Sequence, residues 1–304
     1  MIPGDRNINP LDRIAEFICS HLDSRQLYTC LGCGTCSNLC PASGMQGVDP
    51  CALVQMVLDG KEEAVLNTPW VWHCSGCSLC LASCPEGVDV PRLVSLIRSV
   101  QDDCMLPEGL RSRLSTWIST GNLSGMYPLE YLALLDSASG VYAQRSGHKT
   151  FKLPVDKKGA RVLLIVDPGL LKLRPDILPA YIHLFQAARE DWTLSSMPFG
   201  SVDMAMVSGI SRHRGIWQTT FEAIVERLCP EIVVLDDCPN EMAPFGPFGN
   251  KGLEQEGVKV VGILSLVKKY LSSGQLNLGK RFGRSLTLQE PCSNTDQDLV
   301  AYCR

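Results

Sequence analysis

Positive charge is not in excess in this sequence: 28 Lys and Arg are set against 32 Asp and Glu, leaving a net charge of −4. A chain so balanced has no surplus of cations to neutralise phosphates, which speaks against nucleic acid as a partner. No apolar run approaches the ~20 residues that a membrane-spanning helix needs. The opening Met-Ile-Pro-Gly-Asp-Arg lacks the basic-then-apolar pattern of a secretory leader, so the expected compartment is a reducing cytoplasm. No nucleotide-binding glycine fingerprint follows any expected strand, which leaves a bound flavin or nicotinamide without support. Disorder is excluded too: 45% hydrophobic and 20% charged residues predict packed cores, and 304 residues suffice for about two domains.

Cysteine, by contrast, is abundant, with 15 in the chain. Eight fall in two runs, Cys30-Leu-Gly-Cys33-Gly-Thr-Cys36-Ser-Asn-Leu-Cys40-Pro41 and Cys74-Ser-Gly-Cys77-Ser-Leu-Cys80-Leu-Ala-Ser-Cys84-Pro85. Both have the spacing C-x2-C-x2-C-x3-C-P, in which thiolates hold [4Fe–4S] cubanes. Three sulfurs of a run face one cube, and the fourth, followed by Pro, serves the other. On that rule Cys30, Cys33, Cys36 and Cys84 hold one cluster, and Cys74, Cys77, Cys80 and Cys40 hold the second. Zinc usually takes its four ligands as two separated pairs, a poorer match to two four-cysteine runs. The other seven cysteines (Cys19, Cys51, Cys104, Cys229, Cys238, Cys292 and Cys303) are scattered and odd in number, unlike a disulfide framework. Cubanes near the surface suggest life at low oxygen.

Residues 9–22 read as a helix, with Asn9 as cap, Pro10 in the first turn and Leu11, Ile14, Ile18 and Leu22 on one face. It is expected to pack on the first cluster loop. Between the runs, Asp49 caps and Pro50 starts a spacer helix with Leu53, Met56 and Val57 as its stripe and Gly60 at its end. The pattern then returns: Gly47-Val48-Asp49 matches Gly87-Val88-Asp89, and Leu53-Val54 matches Leu93-Val94. Four cysteines, a proline and a capped helix thus form a unit that occurs twice. Cys51, at the start of the spacer helix, reads as a small buried hydrophobe, with a ligand role the alternative. Trp70, Trp72 and His73 precede the second run; packing is the plainer role for the indoles, shielding of a cluster the alternative.

Residues 101–155 read as a helical connector, punctuated by Pro107, Gly109, Gly121, Gly125, Pro128, Gly140 and Gly147. From Ala160 the style changes. Strands are predicted over 161–166, 231–235, 258–263 and 285–288, with helices over 175–188, around 221–228 and up to Tyr270. This alternation predicts an α/β layer with a mainly parallel sheet, and ligands in such sheets sit beyond the strands' carboxyl ends. Asp167, Cys238 and Cys292 fall just past such ends and could converge. Asp236 and Asp237 read as strand terminators, and His183 and His213 lack partners at motif spacing. The fold class is α+β overall, an α-helical dicluster module followed by an α/β domain. The expected domains are a helical arm over 1–24, a two-cluster ferredoxin domain over 25–100, the connector over 101–155 and the α/β domain over 156–304.

On these residues the chain resembles the heterodisulfide reductase family. The first hundred residues are similar to its C-type component, with two cubane runs split by helices. The segment from about 160 to 292 resembles the cysteine-rich CCG domain of its B- and D-type components. Fusion of the two modules is similar to the K-type subunit of the membrane-associated dissimilatory sulfite reductase complex and to the iron–sulfur subunits of glycolate and anaerobic glycerol-3-phosphate dehydrogenases. Glu190-Asp-Trp-Thr-Leu-Ser-Ser196 looks like the Asp-Trp-Thr-x-Ser-Ser segment of K- and D-type members, Asp237-Cys238 like their Glu-Cys loop, and Glu290-Pro-Cys292 like an Asp-Pro-Cys turn. Where a CCG domain offers cluster cysteines, this chain reads Asp167-Pro168-Gly169 and Pro198-Phe199-Gly200, and its Cys238 loop ends in Glu241. The resemblance therefore implies a degenerate CCG domain without its catalytic cluster, serving as a docking surface. Cys238 and Cys292 could still join a ligand site completed by another chain.

What the resemblance implies is an electron-transfer subunit, relaying single electrons through two [4Fe–4S] clusters. The donor would be a flavoprotein or hydrogenase-type partner and the acceptor a CCG-type or membrane subunit. Its own catalytic residues are expected to be none, and its place the cytoplasm or the inner face of the membrane through partners. Alternatives are the iron–sulfur subunit of a glycolate, lactate or glycerol-3-phosphate dehydrogenase, a disulfide reductase whose third cluster is completed in trans, and a non-redox scaffold with structural metal.

Overall fold

The computed structural model describes residues 17–18, 27–101, 103–200, 211–235, 257–279 and 283. They form two compact units, the first running to Arg111 and taking in Ser211, the second beginning at Ser112. That division falls inside the segment read as a connector. Among the described residues no helix is long and apolar enough to cross a membrane.

The first unit is helical. Two short helices, α1 (Thr35–Leu39) and α4 (Leu79–Ser83), each lie inside a cysteine run; between them come α2 (Pro50–Leu58) and α3 (Glu62–Asn67), and α5 (Val90–Val100) follows. The duplication is visible in the caps. Asp49 accepts a hydrogen bond from the Ala52 N–H at 2.8 Å, and Asp89 accepts one from the Arg92 N–H at 3.0 Å, so each carboxylate satisfies an N-terminal donor that the helix cannot. A proline in the first turn completes both starts. Leu53, Val54, Leu93, Val94 and Ile97 bury the inner faces, with Trp70, Val71 and Val65 between them. Trp70 is fully buried and donates its Nε1–H to the Ala42 carbonyl at 2.8 Å, so packing is its role. Of the helix expected over 9–22, Phe17 and Ile18 are described, and both are helical.

The start of each short helix shows the same duplication at finer grain. Gly34 precedes α1 with φ 73°, and Ser78 precedes α4 with φ 61°. Both stand between the second and third cysteines of their runs, where the chain must turn left-handed. A Cβ at Gly34 would meet nothing within 4 Å. Serine at the second site therefore meets backbone strain rather than a clash, about 1–2 kcal/mol by the usual cost of a left-handed residue.

The second unit is a parallel sheet with helices. Its strands are β1 (Val162–Leu164), β2 (Trp192–Leu194), β3 (Ile232–Leu235) and β4 (Lys259–Gly262), in the order β2-β1-β3-β4. Every pairing is parallel, with Val162 opposite both Trp192 and Ile232, and Ile232 opposite Lys259. β1, β2 and β3 are buried throughout, as expected of strands covered on both faces. The helices are α6 (Glu108–Thr120), which runs across the division between the units, α7 (Pro128–Ser146), α8 (Pro168–Leu173), α9 (Ile177–Ala187), α10 (Ser211–Leu228) and α11 (Ile263–Ser272). Tyr131, Leu135 and Tyr142 of α7, Ile182 and Phe185 of α9, and Leu266 and Tyr270 of α11 share one core with the sheet. Each large apolar side chain so buried contributes roughly 1.5–3 kcal/mol.

Three expectations are adjusted by the fold. The glycine punctuation of the connector breaks no helix at Gly109 or Gly140, which lie inside α6 and α7. Trp192–Leu194, noted only for its likeness to a sequence segment, is a buried edge strand. β1 stops at Leu164, short of the predicted 166, and Asp167 beyond it caps α8, its Oδ1 accepting from the Leu170 N–H at 3.0 Å. The strand predicted over 285–288 lies outside the described residues.

Candidate functional site

The cysteine runs bring their thiols together across the duplication. Cys30, Cys33, Cys36 and Cys84 line one open cleft of about 400 Å³, counting the solvent at its mouth, with Leu31, Pro85 and Glu86 also lining it. Three of these thiols come from the first run and the fourth from the end of the second. The reason is local: α1 and α4 pack against each other, which delivers the last cysteine of each run to the other's loop. The second set mirrors the first, since Cys74 and Cys80 each feel the charge of Cys77 and Cys40. All eight thiols are free. Among the described residues no three Cys, His, Asp or Glu converge on a single ion.

The two sets differ in exposure. Cys33 is exposed, Leu31 beside it is 71% exposed, and the Thr35 hydroxyl and N–H hold the Cys33 thiol below its ordinary value. Burial pushes Cys36 up. In the second set, burial raises Cys74 and pushes Cys80 up to about 12. Iron binds thiolate, so a cluster would have to supply the positive charge that makes deprotonation favourable there. Cys30, Cys36, Cys40, Cys74 and Cys84 pack against the apolar core, which keeps water from their inner sides.

Hydrogen-bond donors reach the sulfurs. Gln55 Nε2 of α2 donates to Cys30 Sγ at 3.6 Å, and the Val88 N–H donates to Cys84 Sγ at 3.4 Å. Thiolates in a cubane accept such bonds, which are among the factors that set a cluster's potential. The first cleft has a fifth cysteine. Cys51 is half-buried rather than fully buried and lines the same cleft, near enough to Cys30 and Cys33 to feel their charge. Its backbone N–H donates to Ser37 Oγ at 3.1 Å, and Ser37 in turn donates to Asp49. The signal was its place two residues after the cap.

Sequence reasoning also missed Arg98. It lies in α5, is 4% exposed, and donates to the Val71 carbonyl through Nε at 3.0 Å and to the Cys74 carbonyl through Nη2 at 2.6 Å. Its guanidinium sits 5.1 Å over the Trp72 ring. Burial lowers its pKa to about 10, which leaves it charged at neutral pH. Trp72 Nε1 is buried with no acceptor among the described residues. An indole donor so placed costs about 1–3 kcal/mol unless an acceptor is brought to it. With eight free thiols in two sets of four, donors aimed at two sulfurs and a buried cation beside the second set, the residues present fit two iron–sulfur clusters. His73 is exposed, and His183 lies beside the Tyr142 ring rather than any thiol. Cys104 and Cys229 are exposed. Cys19, Cys303, Asp236, Asp237, Cys238 and Cys292 lie outside the described residues, as does the side chain of His213.

No solved structure matches the chain. Among characterised sequences, a C-type heterodisulfide reductase-like protein of Archaeoglobus profundus is 28% identical over 107 residues, covering 33% of this chain and 56% of that protein. A C-type iron–sulfur component of the CoB–CoM heterodisulfide reductase of Methanocaldococcus jannaschii is 26% identical over 76 residues, covering 25% of this chain and 40% of the relative. The C2 component of the H2/formate:CoB–CoM heterodisulfide, ferredoxin reductase of Methanococcus maripaludis is 30% identical over 74 residues, 24% of this chain and 40% of that one. The chain thus spans about half the length of the relatives it matches. Residues 29–89 match the 4Fe-4S dicluster domain family, so this stretch, which carries all eight thiols, is similar to domains that hold [4Fe–4S] clusters.

Proposed function

We propose that this chain is an electron-relay subunit of a heterodisulfide-reductase-like complex, with one [4Fe–4S] cluster on Cys30, Cys33, Cys36 and Cys84 and the other on Cys74, Cys77, Cys80 and Cys40. The observation that carries the reading is the cleft in which Cys84 of the second run joins three thiols of the first. That exchange follows the rule for two-cluster ferredoxins. The dicluster match and the relatives' names support it. The bound clusters would supply one-electron transfer; the protein's own part is to orient eight thiols, exclude water through the core around Trp70 and offer N–H donors from Gln55 and Val88. Leu31 and Cys33 expose the first set, which suits it to exchange electrons with a partner.

The finer parts of the reading are ours as well. The two-cluster domain covers about residues 25–100, the segment 101–155 joins it to the second domain, and residues 156–304 form a degenerate CCG-like domain akin to that of the K-type sulfite reductase protein. This second domain docks neighbours and does no bond-making. In support, the stretch that stands where Cys-Cys-Gly is expected is built for packing: Phe199 is 3% exposed, and a Cβ on Gly200 would come within 2.6 Å of Asp167 Oδ2. The Glu190–Ser196 segment likewise supplies a buried strand and a side-chain contact, with Arg227 donating to Ser195 Oγ at 3.1 Å. The donor would be a flavoprotein or hydrogenase-type subunit, the acceptor a catalytic or membrane subunit, and the setting the cytoplasm of a cell living at low oxygen.

The test is anaerobic purification of the tagged full chain from its own cells. Co-purification with redox subunits, and two interacting cluster signals in the reduced EPR spectrum, are expected. A chain that comes alone and splits a mixed disulfide unaided would instead be a reductase in its own right.

A further inference from the structure

The two copies of the repeated unit are not equivalent beside their thiols. Counted from the caps Asp49 and Asp89, Arg98 occupies the place that Leu58 holds in the first copy. Leu58 packs against the apolar core. Arg98, at the matching position of the second copy, is buried to 4% exposure, tied to the Val71 and Cys74 carbonyls and laid over Trp72. Burying a guanidinium is costly, and hydrogen bonds to carbonyls return only part of that cost. A permanent positive charge so deep has an electrostatic use only where negative charge gathers. Four thiolates around an iron–sulfur cube are such a place, and one-electron reduction adds a further negative charge there. Trp72, whose ring lies under the same guanidinium, has a buried indole N–H with no acceptor among the described residues.

We infer that Arg98 is the fixed counter-charge of the second thiol set and raises the reduction potential of the cluster that set holds. The inference rests on the two-cluster reading above. Its physics is Coulombic: a cation held beside the Cys74 backbone would stabilise the reduced form of a cluster on that set, which carries one more electron, over the oxidised form. In the first copy Leu58 stands at the matching place, and it carries no charge. The duplication is thereby converted into two sites of different electron affinity, with Arg98 the charged side chain that separates them. Arg98 is a positioning and tuning residue; it does not touch the reacting iron.

The test is an EPR-monitored redox titration of the anaerobically purified full chain, as wild type, Arg98→Gln and Arg98→Lys. Gln keeps an amide donor for the carbonyls without charge, and Lys keeps the charge with a different donor geometry. The expected result is that one cluster signal of the Gln variant titrates at a lower potential while the other is unmoved, and that the Lys variant stays near the wild type. Loss of the second cluster in the Gln variant alone, with Lys retaining it at the wild-type potential, supports the same role for the charge. A Gln variant with unchanged potentials, or loss of the second cluster in both variants alike, overturns the inference in favour of a purely structural clamp. Wild-type protein with iron for fewer than two clusters counts instead against the two-cluster reading.

Discussion

Gln55 donates its Nε2–H to the sulfur of Cys30 at 3.6 Å, across 25 positions of sequence. The contact joins the spacer helix to the first cysteine run and is absent from the second copy, where Ser95 stands at the matching position. A donor to a cluster thiolate draws off negative charge and favours the reduced form. Gln55→Leu should therefore lower the potential of one cluster and leave the other alone, with unchanged iron content. Redox titration of the variant checks this; a shift in both potentials, or in neither, contradicts it.

Cys84 tests the exchange of ligands between runs. With Cys84→Ala the cluster held by the first run should be the one damaged, although the mutation lies in the second. Iron should fall from about eight to about four per chain, or the signal should change to that of an incomplete cube. Comparison with Cys33→Ala identifies the affected cluster: the two variants should lose the same EPR signal. Loss of different signals would show that each run serves its own cube.

Cys51 shares the first cleft with four proposed ligands, yet a cubane has four iron corners and those are already matched. Cys51→Ala should keep all the iron and the spectrum of the wild type. A fall of about four irons per chain would make Cys51 a ligand and displace one of the four named here.

In the second unit, Glu190 binds Arg161 and accepts from Tyr270 Oη at 2.6 Å, linking β1, the start of β2 and α11. Burial alone would raise the Glu190 carboxyl, but the Arg161 and Tyr270 donors outweigh it and hold the pKa below the ordinary value. A depressed carboxylate contributes stability that is present above its unfolded pKa, about 4.3, and is lost as pH falls through the folded one. Glu190→Gln should cost about 1.5–3 kcal/mol at pH 7, the range for a hydrogen bond to a charged group. The gap between variant and wild type should close in acid. Denaturant unfolding at several pH values measures it, and a gap independent of pH would assign the loss to packing.

Much of the first unit was legible because its signals are local. Cysteine spacing, the Asp49 and Asp89 caps and their prolines act within a few residues of themselves, and the structure repeats them in both copies. β1, β3 and β4 were legible as β-branched runs. β2 was not: three residues are too short for a pattern, and Trp192-Thr-Leu is a strand because β1 pairs with it. Gly140 misled as punctuation because burial of the α7 face against the sheet outweighs the roughly 1 kcal/mol that glycine costs a helix, and Gly109 because it falls in the first turn of α6. Arg98 and Gln55 were missed for a related reason. Each lies on a helix that reads as ordinary, and its importance comes from a sulfur or carbonyl more than twenty residues away. Asp167 and Gly200 show the same limit, since their close approach brings together residues after two different strands.

The most direct measurement is the iron and acid-labile sulfide content of anaerobically purified full-length protein, read with its EPR spectrum after reduction. The account predicts about eight irons and about eight sulfides per chain, as two cubanes require, with signals from two clusters. About four irons, zinc in place of iron, or clearly more than eight irons from a further cluster in the second domain would contradict it.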